Sequence, residues 1–236
     1  MSTNKYSWLM DNLLEERTYK KTIVHHIKQL KTKKYDFNLI DLPGDLHLRK
    51  CIMKGLSLAD DTVIIITAEN ENSDNNGYIK DYLIIAYTMG IRQLIIAINK
   101  MDQTKDIKYN EKKFLIIKKI MINLCKKVGY NIDNIQFVAY SGYTGQYLVN
   151  RHEGEDILKI NKMNWYKGST LLESLDELKP PKRNIDEPLK ISIFDKYQIT
   201  GCGLVFGGKI LSGILKYDMK LIILIKKNRT CIMQNN

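Results

Sequence analysis

Short runs of aliphatic and β-branched residues alternate with longer amphipathic stretches, and this alternation constrains the fold more than any other feature of the sequence. Strands are predicted at residues 35–41, 61–68, 92–98 and 135–140, and helices at 81–90, 110–128 and 169–178. Because parallel strands need long crossover connections, usually helices, the pattern predicts an α/β fold with a parallel sheet. The nearly continuous apolar character of residues 61–68 predicts a strand buried on both faces.

A proline-rich, charged segment at residues 180–188 predicts a linker between two domains. Residues 1–179 contain the α/β pattern. Residues 189–236 show short apolar runs separated by glycines, which predicts strands at 189–194, 203–206, 209–211 and 221–225 and a barrel-like, all-β region. About fifty residues are too few to close a barrel around its own core, so we expect this second domain to be cut short.

Composition excludes several classes of protein. No apolar run reaches the roughly 18–20 residues that a membrane span needs, and the amino terminus shows no secretory signal, so we expect a cytoplasmic protein without a membrane partner. The four cysteines are too scattered for a metal knuckle or a redox pair. The net charge of +11 comes mostly from lysine rather than arginine; it is compatible with an RNA-rich partner, does not prove one, and gives no reason to expect DNA.

Polar clusters follow three of the predicted strands, at the edge where open α/β sheets bind ligands. The strongest is the Asn-Lys-Met-Asp segment at 99–102. Asp102 supplies the carboxylate that guanine discrimination needs, accepting from N1–H and the exocyclic amine; Asn99 can reach the base edge, and the Lys100 stem can cover the ring face. Ser141 and Gly142, after the next strand, would present a backbone N–H to the guanine carbonyl oxygen. The alternative is a polar turn without a ligand, but the order of the motifs favours a nucleotide site.

The first cluster, Asp41-Leu42-Pro43-Gly44, points to the phosphate end of such a site. Asp41 would hold a magnesium-bound water, and the Gly44 N–H can approach a γ-phosphate because no side chain obstructs it. The alternative is a simple turn from strand to helix. Together, the clusters predict binding of GTP or GDP with Mg²⁺.

These motifs resemble the elongation factor 1-alpha superfamily of translational GTPases along nearly the whole chain. The matching stretches lie at residues 6–8, 15–17, 41–44, 90–95, 99–102, 127–130, 141–142, 165–173 and 179–188. In its third quarter the chain runs from Trp165-Tyr166-Lys167-Gly168 straight into a helix, as release-factor-3-like and Pelota-partner ribosome-rescue GTPases do. The resemblance implies a P-loop-NTPase-like G domain over 1–179 and the start of a translation-factor barrel over 189–236. It also implies GTP-dependent action on the ribosome, in elongation or in rescue or termination, together with tRNA or a tRNA-mimicking protein such as Pelota or a release factor.

The phosphate loop of the family is missing from these 236 residues, so we expect a G domain that lacks its first strand and that loop. The nearest pattern, Gly203 to Lys209, is followed by Ile210, which has no hydroxyl for magnesium, and no helix is predicted after it. We therefore interpret it as a barrel hairpin. Loss of a central strand predicts exposed apolar edges and a void, and hence a poorly soluble or partly molten chain.

Two further departures affect the catalytic and magnesium positions. Asp45 occupies the place of the family's water-positioning histidine, where a carboxylate would repel a polyphosphate. His47 is two residues away, which on a helix turns it to the opposite face, so we do not expect it to substitute. Thr22 aligns with the family's magnesium-binding threonine; it either supplies that hydroxyl or begins a strand over 22–30.

Three functions compete at this point. The chain is a translational GTPase of which these residues are a part, a GTPase-derived binding module that docks on a ribosome or partner without hydrolysis, or an unrelated α/β domain without nucleotide. The ordered motifs favour the first, and Asp45 favours the second. On either of them, we expect weak, guanine-selective binding and no GTP hydrolysis by the chain alone.

Overall fold

The computed structural model describes residues 9–68, 73–104, 107–151, 163–225 and 229–234, with the backbone alone for 73–77, 225 and 229–234. The chain divides into two compact units, Met1–Pro180 and Pro181–Asn236. Among the described residues, no helix is both long enough and apolar enough to cross a bilayer.

The first unit alternates strands and helices as the sequence predicts. Its strands are β1 (His26–Lys31), β2 (Asp36–Asp41), β3 (Thr62–Thr67), β4 (Leu94–Asn99) and β5 (Ile135–Ala139). Its helices are α1 (Leu14–Tyr19), α2 (Arg49–Leu58), α3 (Ser73–Thr88), α4 (Glu111–Val128) and α5 (Leu171–Asp176). The predicted α/β fold is therefore confirmed, although α3 begins eight residues before the predicted start at 81.

The strands form two separate sheets. β1 and β2 pair as an antiparallel hairpin, with His26 opposite Asp41, whereas β3, β4 and β5 form a parallel sheet with β4 in the middle. Within the described residues, β2 and β3 are not hydrogen-bonded to each other. The unit thus has the interrupted sheet expected of a G domain without its first strand.

The core lies around β4, in which every side chain from Leu94 to Ile98 is fully buried. Parallel strands covered on both faces have this continuous apolar character. The same burial was expected of β3 and is not found there, because Ile65 is 61% exposed. Within the described residues, β3 has a neighbouring strand on one side only. Its apolar side chains are therefore less buried than the sequence pattern predicts.

Helix α4 shows how local sequence sets an element. Its first turn is capped by Asn110, whose side chain accepts from Lys113 N, and it ends at Gly129, which adopts φ 108°. Phe114, Ile117 and Met121 face the core, as the spacing predicts. The helix predicted from residue 169 begins instead at Leu171. Thr170 caps it, and the Thr170 hydroxyl and the Glu173 carboxylate each accept from the other residue's backbone N–H.

The second unit consists of strands in its described part. The hairpin β6 (Lys190–Ile199) and β7 (Gly203–Ser212) is antiparallel, as is the hairpin β8 (Lys220–Ile225) and β9 (Arg229–Gln234). The separate strands predicted at 203–206 and 209–211 are one strand, and β9 had no predicted counterpart. Gly208 lies within β7. A Cβ there would lie 2.8 Å from Ile191 Cγ2 and 2.9 Å from Ser192 O, which explains the glycine at this position. The Gly203–Lys209 pattern therefore lies in a β-hairpin, as we interpreted it.

Candidate functional site

Two loops, after β4 and after β5, are joined by the side chain of Asn99. Its Oδ1 accepts from the N–H of Lys100 at 2.7 Å and from the N–H of Gly142 at 2.9 Å. Lys100 adopts the left-handed conformation with φ 60°, so the chain turns sharply where β4 ends. A Cβ at Gly142 would lie 3.4 Å from both terminal atoms of Asn99, which explains the small residue at this close approach.

Asp102 is held at the same place by Ser141. The Ser141 hydroxyl donates to Asp102 Oδ1 at 2.6 Å and accepts from Thr144 N at 3.2 Å. Ser141 is fully buried, whereas Asp102 is half-buried and lies in a short 3₁₀ helix, Met101–Gln103. Ser141 therefore engages one carboxylate oxygen and orients the carboxyl group. Short hydrogen bonds of this type to a carboxylate are stronger than those between neutral groups. We call Asn99, Asp102, Ser141 and Gly142 the base cluster.

The residues predicted at the phosphate end lie at the end of β2. Asp41 is half-buried, and burial, followed by the negative charge of Asp11, raises the pKa of its carboxyl group; His26 and the Thr22 hydroxyl act in the opposite direction. Gly44 O accepts from the Tyr82 hydroxyl at 2.7 Å, which ties the turn to α3. A Cβ at Gly44 would meet open space, so a side chain there would not collide with neighbouring atoms.

A buried carboxylate that sequence reasoning did not single out organises the segment before β1. Glu16 is fully buried and accepts from Leu13 N at 3.1 Å, Ile23 N at 2.8 Å and Val24 N at 3.1 Å, and it contacts His26 Nε2 at 2.7 Å. Burial by itself would raise the pKa of Glu16. The three backbone donors and His26 outweigh burial and lower the pKa to about 2.

One of the two expectations for Thr22, that it begins a strand, is not met. It lies ahead of β1, which begins at His26, so the expectation that it starts a strand over 22–30 is wrong. The cause is the Glu16 carboxylate, which takes the backbone N–H groups of Ile23 and Val24 that a strand would pair. The Thr22 hydroxyl donates to Asp11 Oδ1 at 3.1 Å, and its hydrogen bond to Asp41 acts to lower the pKa of that carboxyl group, so it lies between two carboxyl groups.

Asp45 acts as the cap of a short 3₁₀ helix, Leu46–Leu48. Its Oδ1 accepts from His47 N at 3.0 Å, and its Oδ2 lies 4.0 Å from Lys21 Nζ. A capping carboxylate is engaged by the backbone that follows it. In this arrangement one carboxylate oxygen of Asp45 is engaged at the start of the Leu46–Leu48 helix.

Clusters of metal-binding side chains and free cysteines were the other candidate features of a site. There, no group of three or more His, Cys, Asp or Glu side chains is arranged to hold a metal ion. Cys51, Cys125 and Cys202 are free thiols.

Comparison with known proteins agrees with this geometry. Residues 1–181 match the family described as "Elongation factor Tu GTP binding domain". The chain is 38% identical over 224 residues to elongation factor 1-alpha of Desulfurococcus mucosus, covering 93% of this chain and 49% of that protein. It is 37% identical over 221 residues to elongation factor 1-alpha of Plasmodium falciparum, covering 92% and 47%. The chain thus spans about half the length of these relatives.

Solved structures show the same fold. The Ski7 GTPase-like domain of S. cerevisiae, bound to GDP and inorganic phosphate, superposes with a TM-score of 0.72 at 17% identity and covers 98% of this chain and 53% of that one. At this identity the likeness concerns the fold alone, whereas the family match rests on the sequence. The chain belongs to the elongation factor Tu GTP-binding domain family, within the elongation factor 1-alpha superfamily of translational GTPases.

Proposed function

We propose that the protein is a guanine-nucleotide-binding translation factor that acts on the ribosome. The observation that carries the proposal is the base cluster, in which Asn99 and Ser141 hold the loops after β4 and β5 together around the Asp102 carboxylate. Asp102 would accept from the N1–H and exocyclic amine of guanine. Adenine offers no such pair of donors, so a carboxylate fixed in this way selects guanine.

The nucleotide contacts are assigned residue by residue. Asn99 would reach the base edge, and the Lys100 stem would cover the ring face. The Gly142 N–H would face the guanine carbonyl oxygen, for which it would have to exchange its hydrogen bond to Asn99 Oδ1. Asp41 and Gly44 would lie toward the phosphates, where Gly44 has open space around it. Ser141 orients Asp102 through its hydroxyl, while its own backbone N–H donates to Gln146 O at 3.0 Å.

Magnesium fits the donors at the end of β2. Thr22 and Asp41 supply the hard oxygen ligands that Mg²⁺ prefers, and this ion is commonly held by one or two protein oxygens together with phosphate oxygens. The bound ion would neutralise phosphate charge. Thr22 would have to exchange its hydrogen bond to Asp11 for the ion.

Partners are proposed from the family and from the motifs at the end of the G domain. The ribosome is the common partner that elongation factor 1-alpha relatives imply. The Trp165–Gly168 segment that leads directly into α5 supports the rescue or termination branch, in which tRNA or a tRNA-mimicking protein such as Pelota or a release factor accompanies the GTPase. We place the protein in the cytoplasm on the same grounds.

A second function, nucleotide or ribosome binding without hydrolysis, is favoured by Asp45. Its carboxylate caps the Leu46–Leu48 helix at the position of the family's catalytic histidine. The residues of this chain also contain no phosphate-loop motif. We propose that the chain by itself does not hydrolyse GTP, since phosphoryl transfer depends mostly on positioning and charge stabilisation at the phosphates.

Base selectivity tests the proposal. In ligand-observed NMR with millimolar nucleotide, GTP should bind the unmutated chain better than ATP. Asp102→Asn should shift preference from GTP toward xanthosine triphosphate, because the amide reverses one donor–acceptor pair. One charged hydrogen bond is worth about 1.5–3 kcal/mol, so the ratio should change about 10- to 100-fold.

Asp133→Asn is the matched control, because Asp133 is an exposed carboxylate in the short helix before β5. It should leave the ratio unchanged. Equal competition by ATP and GTP in the unmutated chain would contradict the assignment of the base cluster.

A further inference from the structure

A thiol and an imidazole meet where α2 packs against the segment before β1. Cys51, near the start of α2, has its Sγ 3.7 Å from Nδ1 of His25, the residue directly before β1. This distance allows a hydrogen bond, because contacts to sulfur are longer than those between nitrogen and oxygen. Both side chains are half-buried and so retain contact with solvent. The pair thus combines a nucleophile with a base at an accessible place.

Packing on α2 holds His25 beside the thiol. Gly55 lies four residues after Cys51 and therefore on the same side of the helix. A Cβ at Gly55 would lie 3.5 Å from His25 Cβ and 3.4 Å from Ile40 Cγ2 of β2. The helix consequently approaches His25 and β2 closely, and His25 lies against the face of α2 that carries Cys51.

The other two thiols that the structure describes have different surroundings. Cys125 is fully buried in α4, and burial raises its pKa to about 11, so it remains protonated at neutral pH. Cys202 is exposed in the turn between β6 and β7. Within the described residues, a histidine contact is found at Cys51 and not at these two. Cys125 and Cys202 are therefore internal references for a buried and an exposed thiol.

Metal binding is the alternative use of a thiol and an imidazole. Zinc sites need at least three protein ligands. In the parts of the chain that the structure describes, no group of three or more His, Cys, Asp or Glu side chains could hold a metal ion. The contact between Cys51 and His25 therefore favours a reactive thiol over a metal ligand.

We propose that Cys51 is a site of thiol–disulfide exchange with small disulfides, for which His25 acts as the base. His25 Nδ1 takes the thiol proton, and the Cys51 thiolate attacks one sulfur of the disulfide. A sulfur–sulfur bond to Cys51 forms as the bond within the small disulfide breaks, and the departing thiolate takes the proton from His25. Cys51 is oxidised, one half of the small disulfide is reduced to a thiol, and no other reactant is needed.

Mass spectrometry of the full chain after brief treatment with oxidised glutathione tests this proposal. The rate of mixed-disulfide formation is measured separately for the peptides that contain Cys51, Cys125 and Cys202. A general base commonly contributes roughly 10²–10⁴-fold, and a thiol that is already partly ionised gains less, so we expect Cys51 to react about tenfold faster than Cys202. This order is the reverse of their exposure. Cys125 should not react while the chain is folded.

Two substitutions of His25 separate its chemistry from its packing. His25→Asn keeps a polar group near the thiol but removes the base, and it should lower the Cys51 rate about tenfold, to that of Cys202. His25→Ala should be equally slow, and added imidazole should restore its rate, which a packing role does not predict. His47→Asn removes an exposed imidazole four residues before Cys51 and is the matched control, which should leave the rate unchanged.

Three results would overturn the proposal. A Cys51 rate in the unmutated chain no higher than that of Cys202 would show that the histidine contact does not activate the thiol. An unaltered Cys51 rate in His25→Asn would remove His25 as the base. A slow rate in His25→Ala that imidazole does not restore would assign His25 to packing alone. In each variant, an unreactive Cys125 reports that the core is intact.

Discussion

Ser141 Oγ donates to Asp102 Oδ1 at 2.6 Å and joins the loops after two neighbouring parallel strands across 39 residues of sequence. Ser141 is fully buried, and Thr144 N donates to its hydroxyl at 3.2 Å, so the position of the serine is set by the protein. The Asp102 carboxylate is therefore oriented before any ligand arrives. Such preorganisation reduces the entropy that binding would otherwise cost.

The first prediction follows from this contact. Ser141→Ala should lower the preference for GTP over ATP by roughly tenfold, because a hydrogen bond to a charged group is worth about 1.5–3 kcal/mol and part of it is regained from water. Nucleotide competition in the NMR assay measures the preference. Ser57→Ala, which removes a hydroxyl bonded to Lys54 O in α2, is the matched control and should change nothing. An unaltered preference in the Ser141 variant would show that Asp102 needs no anchor.

The second prediction concerns acid stability. The pKa of Glu16 is lowered from its ordinary 4.5 to about 2, so its ionised form stabilises the fold fully above pH 4.5. That contribution is lost as the pH falls toward 2, because the unfolded chain then binds a proton that the folded chain resists. Urea unfolding at pH 6 and pH 3 should show a larger loss of stability in the unmutated chain than in Glu16→Gln.

The same variant should be less stable at pH 6 by about 1–3 kcal/mol, the usual cost of a poorly satisfied buried donor. Glu15→Gln changes an exposed neighbour in the same helix and is the control. If both variants kept the full pH dependence, the buried network around Glu16 would not be its source.

The third prediction compares two glycines with left-handed backbones. Gly90 has φ 94° and open space around it, whereas Gly129 has φ 108° and a Cβ there would lie 3.3 Å from the Tyr87 hydroxyl oxygen. Tyr87 cannot easily give way, since its ring packs edge-on against Tyr130 at 5.0 Å and under the Arg92 guanidinium at 4.0 Å. Gly90→Ala should cost about 1–2 kcal/mol and Gly129→Ala more. Unfolding in urea measures both, and equal costs would show that Tyr87 moves aside.

Elements set by local sequence were predictable. The apolar stripe and terminal glycine of α4, the buried strand β4 and the polar turns at 41–44, 99–102 and 141–142 all follow from spacing and residue type. The two loops that form the base cluster were expected at one sheet edge, because carboxyl ends of parallel strands meet there.

Features that depend on distant contacts were not predictable. The residues around Glu16 in the sequence do not indicate that its carboxylate accepts from the N–H groups of Ile23 and Val24. Because of these contacts, β1 begins only at His26. Ile65 lies in an apolar run that is typical of a buried strand, yet its side chain is exposed. Its exposure depends on which strands lie beside β3, and the local sequence does not determine that.

Asp45 is the residue that favours nucleotide binding without GTP hydrolysis. Grafting a strand and phosphate loop ahead of the chain should recover nucleotide binding, since those groups cradle the β- and γ-phosphates. Turnover should also require Asp45→His, because the present carboxylate caps the Leu46–Leu48 helix and lies near Lys21.

The most direct measurement is the rate of GTP hydrolysis on stalled ribosomes by four proteins, with the loop absent or grafted and with Asp45 or Asp45→His. We predict background rates for all but the grafted Asp45→His protein. If the grafted protein with Asp45 hydrolyses GTP as fast as the one with Asp45→His, Asp45 does not prevent turnover, and the chain is part of an ordinary GTPase.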